Sequence, residues 1–237
     1  MVKKEMFTIC KEYISSELNC SIADLHKEGT VFAANDLKPY PFLQVSTMGQ
    51  ATFVSVSSAL LPKISSLLQR KTKDEVFECP FVYGQSLFYL PDLAAIKRPS
   101  LPSGFDYGLL EGKELYDLRG LVGFDNSLGF DPDGSTSTCI VLYARMGKEI
   151  IALAGASRES EHMWQLGIDV TLPYRNNGLA AALISTLACI ILDKGIVPFY
   201  CASVTNIASQ RVAHRSHFLP AWVSTYGTIL DGSSSYF

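Results

Sequence analysis

The run Arg175-Asn176-Asn177-Gly178-Leu179-Ala180 holds residue types that could grip an anion. Ahead of it, Trp164 to Val170 has strand character; behind it, Leu179 to Leu192 is almost wholly apolar. A strand that turns straight into a helix leaves the first helical N–H groups without partners and aims the positive end of the helix dipole at the turn. Phosphate is the usual occupant of such a place. Gly178 lets the backbone approach bulky oxygens with no Cβ in the way. The amides of Asn177, Gly178, Leu179 and Ala180 would face the anion, and Arg175 adds a full positive charge.

The elements that must hold this turn follow from periodicity and punctuation. Phe7, Cys10, Ile14 and Leu18 recur at helical spacing and predict an N-terminal helix over Met6 to Glu17. Val31 to Ala34, Phe42 to Met48 and Thr52 to Val56 read as strands, and Leu60 to Gln69 as a helix with Pro62 in its first turn. Phe81 to Tyr83 and Ser86 to Leu90 would form a hairpin around Gly84-Gln85. Pro91 to Pro102 carries three prolines and reads as a connector, followed by a short helix over Leu109 to Arg119. Cys139 to Arg145 and Glu149 to Ala156 flank Met146-Gly147-Lys148 as a hairpin.

From there the order is strand (His162 to Val170), buried helix (Leu179 to Asp193), strand (Val197 to Val204), helix (Ile207 to Ser216) and strand (Ala221 to Thr228). Such alternation predicts an α/β protein, a mixed sheet with helices packed on it. The helix between the strands at Val170 and Val197 should make a right-handed crossover. The expected division is an N-terminal α/β region, residues 1–102, and a second domain, residues 103–237.

In this context Arg175 to Ala180 resembles the R/Q-x-x-G-x-G/A signature of the GNAT superfamily, the acyl-CoA-dependent N-acetyltransferases. Asn206-Ile207-Ala208-Ser209, opening the next helix, resembles that family's N-x-x-A/S segment. The likeness spans roughly Phe124 to Val223, and Trp164-Gln165-Leu166-Gly167-Ile168-Asp169-Val170 together with Phe218-Leu219-Pro220-Ala221-Trp222 look most like the group that includes the zwittermicin-resistance acetyltransferase.

The resemblance implies a GNAT fold with a mostly antiparallel sheet, acetyl-CoA as cosubstrate without a metal, and an amine of a small molecule as acceptor. It puts the carrier's diphosphate on Arg175, Asn176, Asn177, Gly178, Leu179 and Ala180. The pantetheine arm would lie on the main chain of Ile168 and Val170, with Asn206 and Ser209 beside it. Pro198, which removes a ladder donor, fits two strands splaying to admit that arm. The N-terminal region would then roof the acceptor site.

Acetyl transfer needs a base for the amine and donors for the carbonyl and the departing thiolate. The family's usual carboxylate position falls on Trp164 and its usual tyrosine on Ala213, neither of which exchanges protons. The nearby substitutes are Glu161 and His162 at the head of the strand and Ser209 on the helix. Asp169 is a further candidate, a solvent-side residue or a partner for neighbouring backbone. A binding module that senses acyl-CoA without catalysis is therefore the alternative reading, and a protein for some other phosphate ligand a third.

Composition narrows the partners. The net charge is −3 and no long basic run occurs, so neither nucleic acid nor an anionic membrane is expected. Arg70-Lys71-Thr72-Lys73 reads as the solvated end of a helix. Leu179 to Leu192 is too short to cross a bilayer, and no signal peptide is visible. Six cysteines without C-x-x-C pairs and four histidines without metal spacing predict reduced thiols in a cytoplasm and no metal. A homodimer stays open.

Overall fold

The structure is a computed structural model whose described residues are 1–226. Elements follow in chain order. Helix α1 (Lys3–Leu18) leads through a 3-10 turn (Asp24–His26) to strands β1 (Gly29–Ala34), β2 (Leu43–Met48) and β3 (Ala51–Val56). Helices α2 (Leu61–Leu68) and α3 (Lys73–Phe77) precede β4 (Ser86–Pro91) and β5 (Asp106–Glu111). A 3-10 segment (Gly112–Leu118) connects to β6 (Thr138–Met146), β7 (Glu149–Arg158) and β8 (Met163–Val170). A 3-10 turn (Leu172–Tyr174) then enters α4 (Leu179–Asp193), followed by β9 (Val197–Ser203), α5 (Ile207–Arg215) and β10 (Phe218–Ser224). Of the strand expected over Ala221 to Thr228, the last two residues lie outside the described ones.

Contacts gather the chain into two compact units. One holds Met1–Ile9, Tyr89–Cys201 and Asn206–Leu219; the other holds Cys10–Phe88, Ala202–Thr205 and the described residues from Pro220 to Tyr226. The stretch from Pro91 to Pro102 thus lies inside the first unit.

In the first unit the strands run side by side as β9-β8-β7-β6-β5. Neighbours pair antiparallel except β8 with β9, which are parallel, as a strand–helix–strand connection through α4 requires. The mixed, mostly antiparallel character expected from the sequence is found here. On one face Leu115, Leu118, Phe124, Leu128, Val141 and Leu153 form a core. Helix α4 packs on β6, β7 and β8. It buries Leu179, Leu183, Ile184, Leu187, Ala188 and Ile191, which is why its sequence is apolar almost all round.

In the second unit β1 pairs parallel with β3, β3 antiparallel with β2, and β2 antiparallel with the end of β10. Its core joins Val45, Val54 and Val56 to Ile64, Leu68, Val76 and Val82.

Three local expectations change. Leu109 to Arg119 does not form an α-helix: Leu109 and Leu110 pair with Leu142 and Val141 as part of β5, so sheet pairing outweighs helical propensity. Gly112, at φ +58°, ends the strand, and Leu115 and Leu118 are buried from the 3-10 segment behind it. Phe81 to Tyr83 makes no strand, because the chain turns after α3 through Val82 N–H to Cys79 C=O, 2.8 Å, and Val82 enters the core. Arg70 to Lys73 joins two helices. Thr72 accepts from the Glu75 N–H, while the Glu75 carboxylate accepts from the Thr72 N–H, a reciprocal cap that starts α3.

Candidate functional site

At the end of β8 the backbone passes through Thr171 and the 3-10 turn, then takes left-handed conformations at Asn176, φ +66°, and at Gly178, φ +83°. Asn tolerates that region better than most residues and Gly enters it freely, so both identities suit the turn. Gly178 caps α4: its carbonyl accepts the Ala182 N–H at 3.1 Å. Of the amides expected to face an anion, that of Leu179 is already bonded to Asn177 Oδ1, 3.2 Å away. This removes Leu179 from the donors. The amides of Asn177, Gly178, Ala180 and Ala181 have no partner among the described residues, as helix geometry requires for the last three. Arg175 is exposed, and its Nε donates to the Val170 carbonyl at 2.8 Å, which pins the guanidinium to the end of β8.

Beside this turn the β8–β9 ladder opens. Pairing runs from Met163↔Val197 to Leu166↔Tyr200 and stops, whereas β8 continues to Val170 and stays paired with β7 throughout. Pro198 lies within the paired part, opposite Trp164, so the divergence comes two residues after the proline that seemed to announce it. The Val197 N–H donates to the His162 carbonyl, 2.9 Å. Main-chain groups of a strand alternate sides, so the even-numbered residues of β8 turn their N–H and C=O toward β9. Beyond Leu166 those are Ile168 and Val170, the two residues expected to offer main-chain bonds. The Val170 carbonyl is taken by Arg175, leaving its N–H and both groups of Ile168 on the opened edge.

Asp169 points to the opposite face, sharing it with its cross-strand partner Leu153. There its carboxylate accepts four hydrogen bonds: from Asn126 N–H (3.0 Å) and Nδ2 (2.6 Å), and from Ser127 N–H (3.0 Å) and Oγ (2.7 Å). The segment so held lies directly on two paired glycines, Gly155 and Gly167. A Cβ on Gly167 would overlap the Asn126 carbonyl oxygen, and one on Gly155 the Ser127 carbonyl oxygen. Asp169 is thus a partner for neighbouring backbone, one of the roles open to it.

Across the opening, the Tyr200 hydroxyl is 2.8 Å from Ser209 Oγ. Ser209 sits in the first turn of α5, its N–H bonded at 3.1 Å to Oδ1 of Asn206, which caps that helix. Tyr200 is 2% exposed, and burial pushes its hydroxyl up to about 12, so it keeps its proton at neutral pH. Sequence reasoning missed Tyr200. A tyrosine in Pro198-Phe199-Tyr200-Cys201 looks like core, and only its place at the end of the ladder and its serine partner set it apart.

The other candidates are spread out. Glu161 and His162 are exposed and lie at the closed end of β8, where the ladder is intact. Trp164 is 7% exposed, with the Arg158 guanidinium carbon 5.7 Å from its ring centre, and Ala213 is fully buried. The structure therefore joins Arg175 to Ala180, Ile168, Val170 and Ser209 around one opening and leaves Glu161 and His162 apart from it. Among the described residues no group of His, Cys, Asp or Glu could hold a metal ion, no disulfide joins any two of the six cysteines, and no helix is long and apolar enough to cross a membrane.

No family model and no curated protein matches the chain. Solved structures do. A GCN5-related N-acetyltransferase-like protein from Streptococcus suis superposes with a TM-score of 0.50 at 15% identity, over 94% of this chain and 98% of that one. A GNAT-family protein from Novosphingobium aromaticivorans gives 0.46 at 19% identity, over 60% of this chain and 63% of that one. An acetyltransferase of the same family from Colwellia psychrerythraea gives 0.45 at 15%, over 60% and 55%. With the mixed sheet, the flanking helices and the near-complete overlap with the Streptococcus protein, the chain has the fold of the GNAT acetyltransferases.

Proposed function

We propose that this chain transfers an acetyl group from acetyl-CoA to an amine of a small-molecule acceptor, in the cytoplasm. One observation carries the reading: the β8–β9 ladder opens at its C-terminal end directly beside a helix-opening turn whose amides are unpaired. An extended arm ending in a diphosphate fits that pairing of features. The arm would bond to the main chain of Ile168 and to the Val170 N–H, as an added strand does. The diphosphate would rest on Asn176, Asn177, Gly178 and Ala180 with Arg175 beside it, Leu179 contributing contact only. Asn206 and Ser209 would border the acyl end. Glu161 and His162 would serve as base only for an acceptor reaching the closed end of β8. An antibiotic-like amine rests on the likeness of Trp164 to Val170 and of Phe218 to Trp222 alone.

The second reading keeps the carrier and drops the chemistry. Trp164 and Ala213 favour it, since both are buried and neither moves a proton. Release of free thiol from acetyl-CoA, with a panel containing an aminoglycoside, a polyamine and an amino-acid ester, separates the two. The transferase reading predicts amine-dependent release with at least one of these; binding without release supports the sensor. Either way CoA should raise the melting temperature and ATP and NAD should not, because a ligand at ~100 times its dissociation constant adds about 2.7 kcal/mol.

A further inference from the structure

We propose that Asp169 is a positioning residue for the carrier: it holds β8 in strand geometry where the ladder opens, so that Ile168 and Val170 present their main-chain groups before the arm arrives. The inference rests on the acetyl-CoA reading and concerns what makes the opened edge fit to receive an arm. Past Leu166, β8 is no longer paired with β9 and is held as a strand by β7 alone. A strand end held along one edge frays, and its order must be regained whenever a ligand binds. Asp169 lies between the two residues that would bond the arm. Its carboxylate, standing off the sheet as strand side chains do, supplies a second attachment. It accepts from Asn126 N–H (3.0 Å) and Nδ2 (2.6 Å) and from Ser127 N–H (3.0 Å) and Oγ (2.7 Å).

Charge and packing make this tie rigid. Hydrogen bonds to an ionised carboxylate are roughly twice as strong as neutral ones, and two of the four come from consecutive backbone N–H groups. The donating segment is itself fixed. It rests on Gly155 and Gly167, where any Cβ would meet the carbonyl of Ser127 or Asn126. Phe124 and Leu128, on either side of it, are buried in one core with Leu153, the residue paired with Asp169. The tie therefore runs from the core to the middle of the opened edge. None of its donors belongs to α4 or to the turn that precedes it. Loss of Asp169 should weaken what the arm contributes to binding and spare what the diphosphate contributes.

The test separates the two halves of the carrier and needs no acceptor. Calorimetry compares CoA with 3′-phospho-ADP, the same nucleotide diphosphate without the pantetheine arm. The wild type should bind CoA tighter by at least about tenfold, a modest return for main-chain bonds at Ile168 and Val170. In Asp169→Ala that ratio should fall to within about threefold, with the affinity for 3′-phospho-ADP changed by no more than about twofold. Asp169→Asn, which keeps an acceptor oxygen, should lie between. Asn126→Ala removes only the 2.6 Å bond and should lower the ratio by less; it decides the matter where Asp169→Ala does not fold. A wild-type ratio in the deciding variant overturns the proposal and leaves the binding reading intact. Equal loss of both ligands also overturns it, because a merely structural role predicts that result. Wild-type protein that binds both ligands alike, or neither, overturns the arm on this edge and the proposal with it.

Discussion

Gly167→Ala is expected to lower the stability of the protein by about 3 kcal/mol, a methyl forced into a closed space at the upper end of ordinary overpacking. For a chain of this size that is a fall in melting temperature of roughly 10 °C. The obstruction is the Asn126 carbonyl, part of a backbone segment that cannot swing aside as a side chain does. Asp169 holds that segment with four hydrogen bonds, so relief of the clash breaks the latch. Gly155→Ala meets the Ser127 carbonyl and should cost a similar amount. Gly129→Ala is the control: its Cβ meets nothing within 4 Å and its backbone is not left-handed, so its melting temperature should stay within about a degree of wild type, given effects of ±0.5 kcal/mol for such sites. Thermal melts of the three variants decide the matter, and an unchanged Gly167→Ala would show that the segment does not lie where it is placed.

Gly178→Val should act on the ligand and spare the fold. A Cβ there meets open space, so nothing in the core is displaced; the cost is the left-handed backbone, φ +83°, which a β-branched residue adopts poorly. Relief of that strain turns the Gly178 and Ala180 amides away from their common point, and the isopropyl group covers what remains. The expected result is at least a hundredfold weaker affinity for CoA, about 2.7 kcal/mol, with the unliganded melt changed by a few degrees. Unchanged affinity would remove the diphosphate from this turn. Loss of affinity together with collapse of the fold would show that the turn is a structural joint and no more.

How far the sequence could be read depended on whether the deciding contacts were local. The boundaries of α4, Leu179–Asp193, follow from an almost wholly apolar run, and the hairpin of β6 and β7 from strand-like runs around Gly147. The turn between β8 and α4 was legible because its parts are contiguous. Helix α3 is legible too, through the Thr72-x-x-Glu75 spacing of its reciprocal cap. What escaped was non-local. β5 exists because β6 pairs with it, which Leu109 and Leu110 cannot declare alone. The latch joins Asp169 to residues more than forty positions earlier and needs two glycines on separate strands. Tyr200 and Ser209 are nine residues apart, on a strand and a helix, and their meeting depends on how α5 packs.

Titration calorimetry of the wild-type protein with CoA tests the central claim most directly. Saturable binding at a single site, weakened in Gly178→Val and absent with adenosine alone, is what an arm on an opened strand edge and a diphosphate on unpaired amides require. Flat traces at millimolar CoA would mean that neither the opened edge of β8 nor the mouth of α4 receives this carrier, and the transferase reading would fall with them.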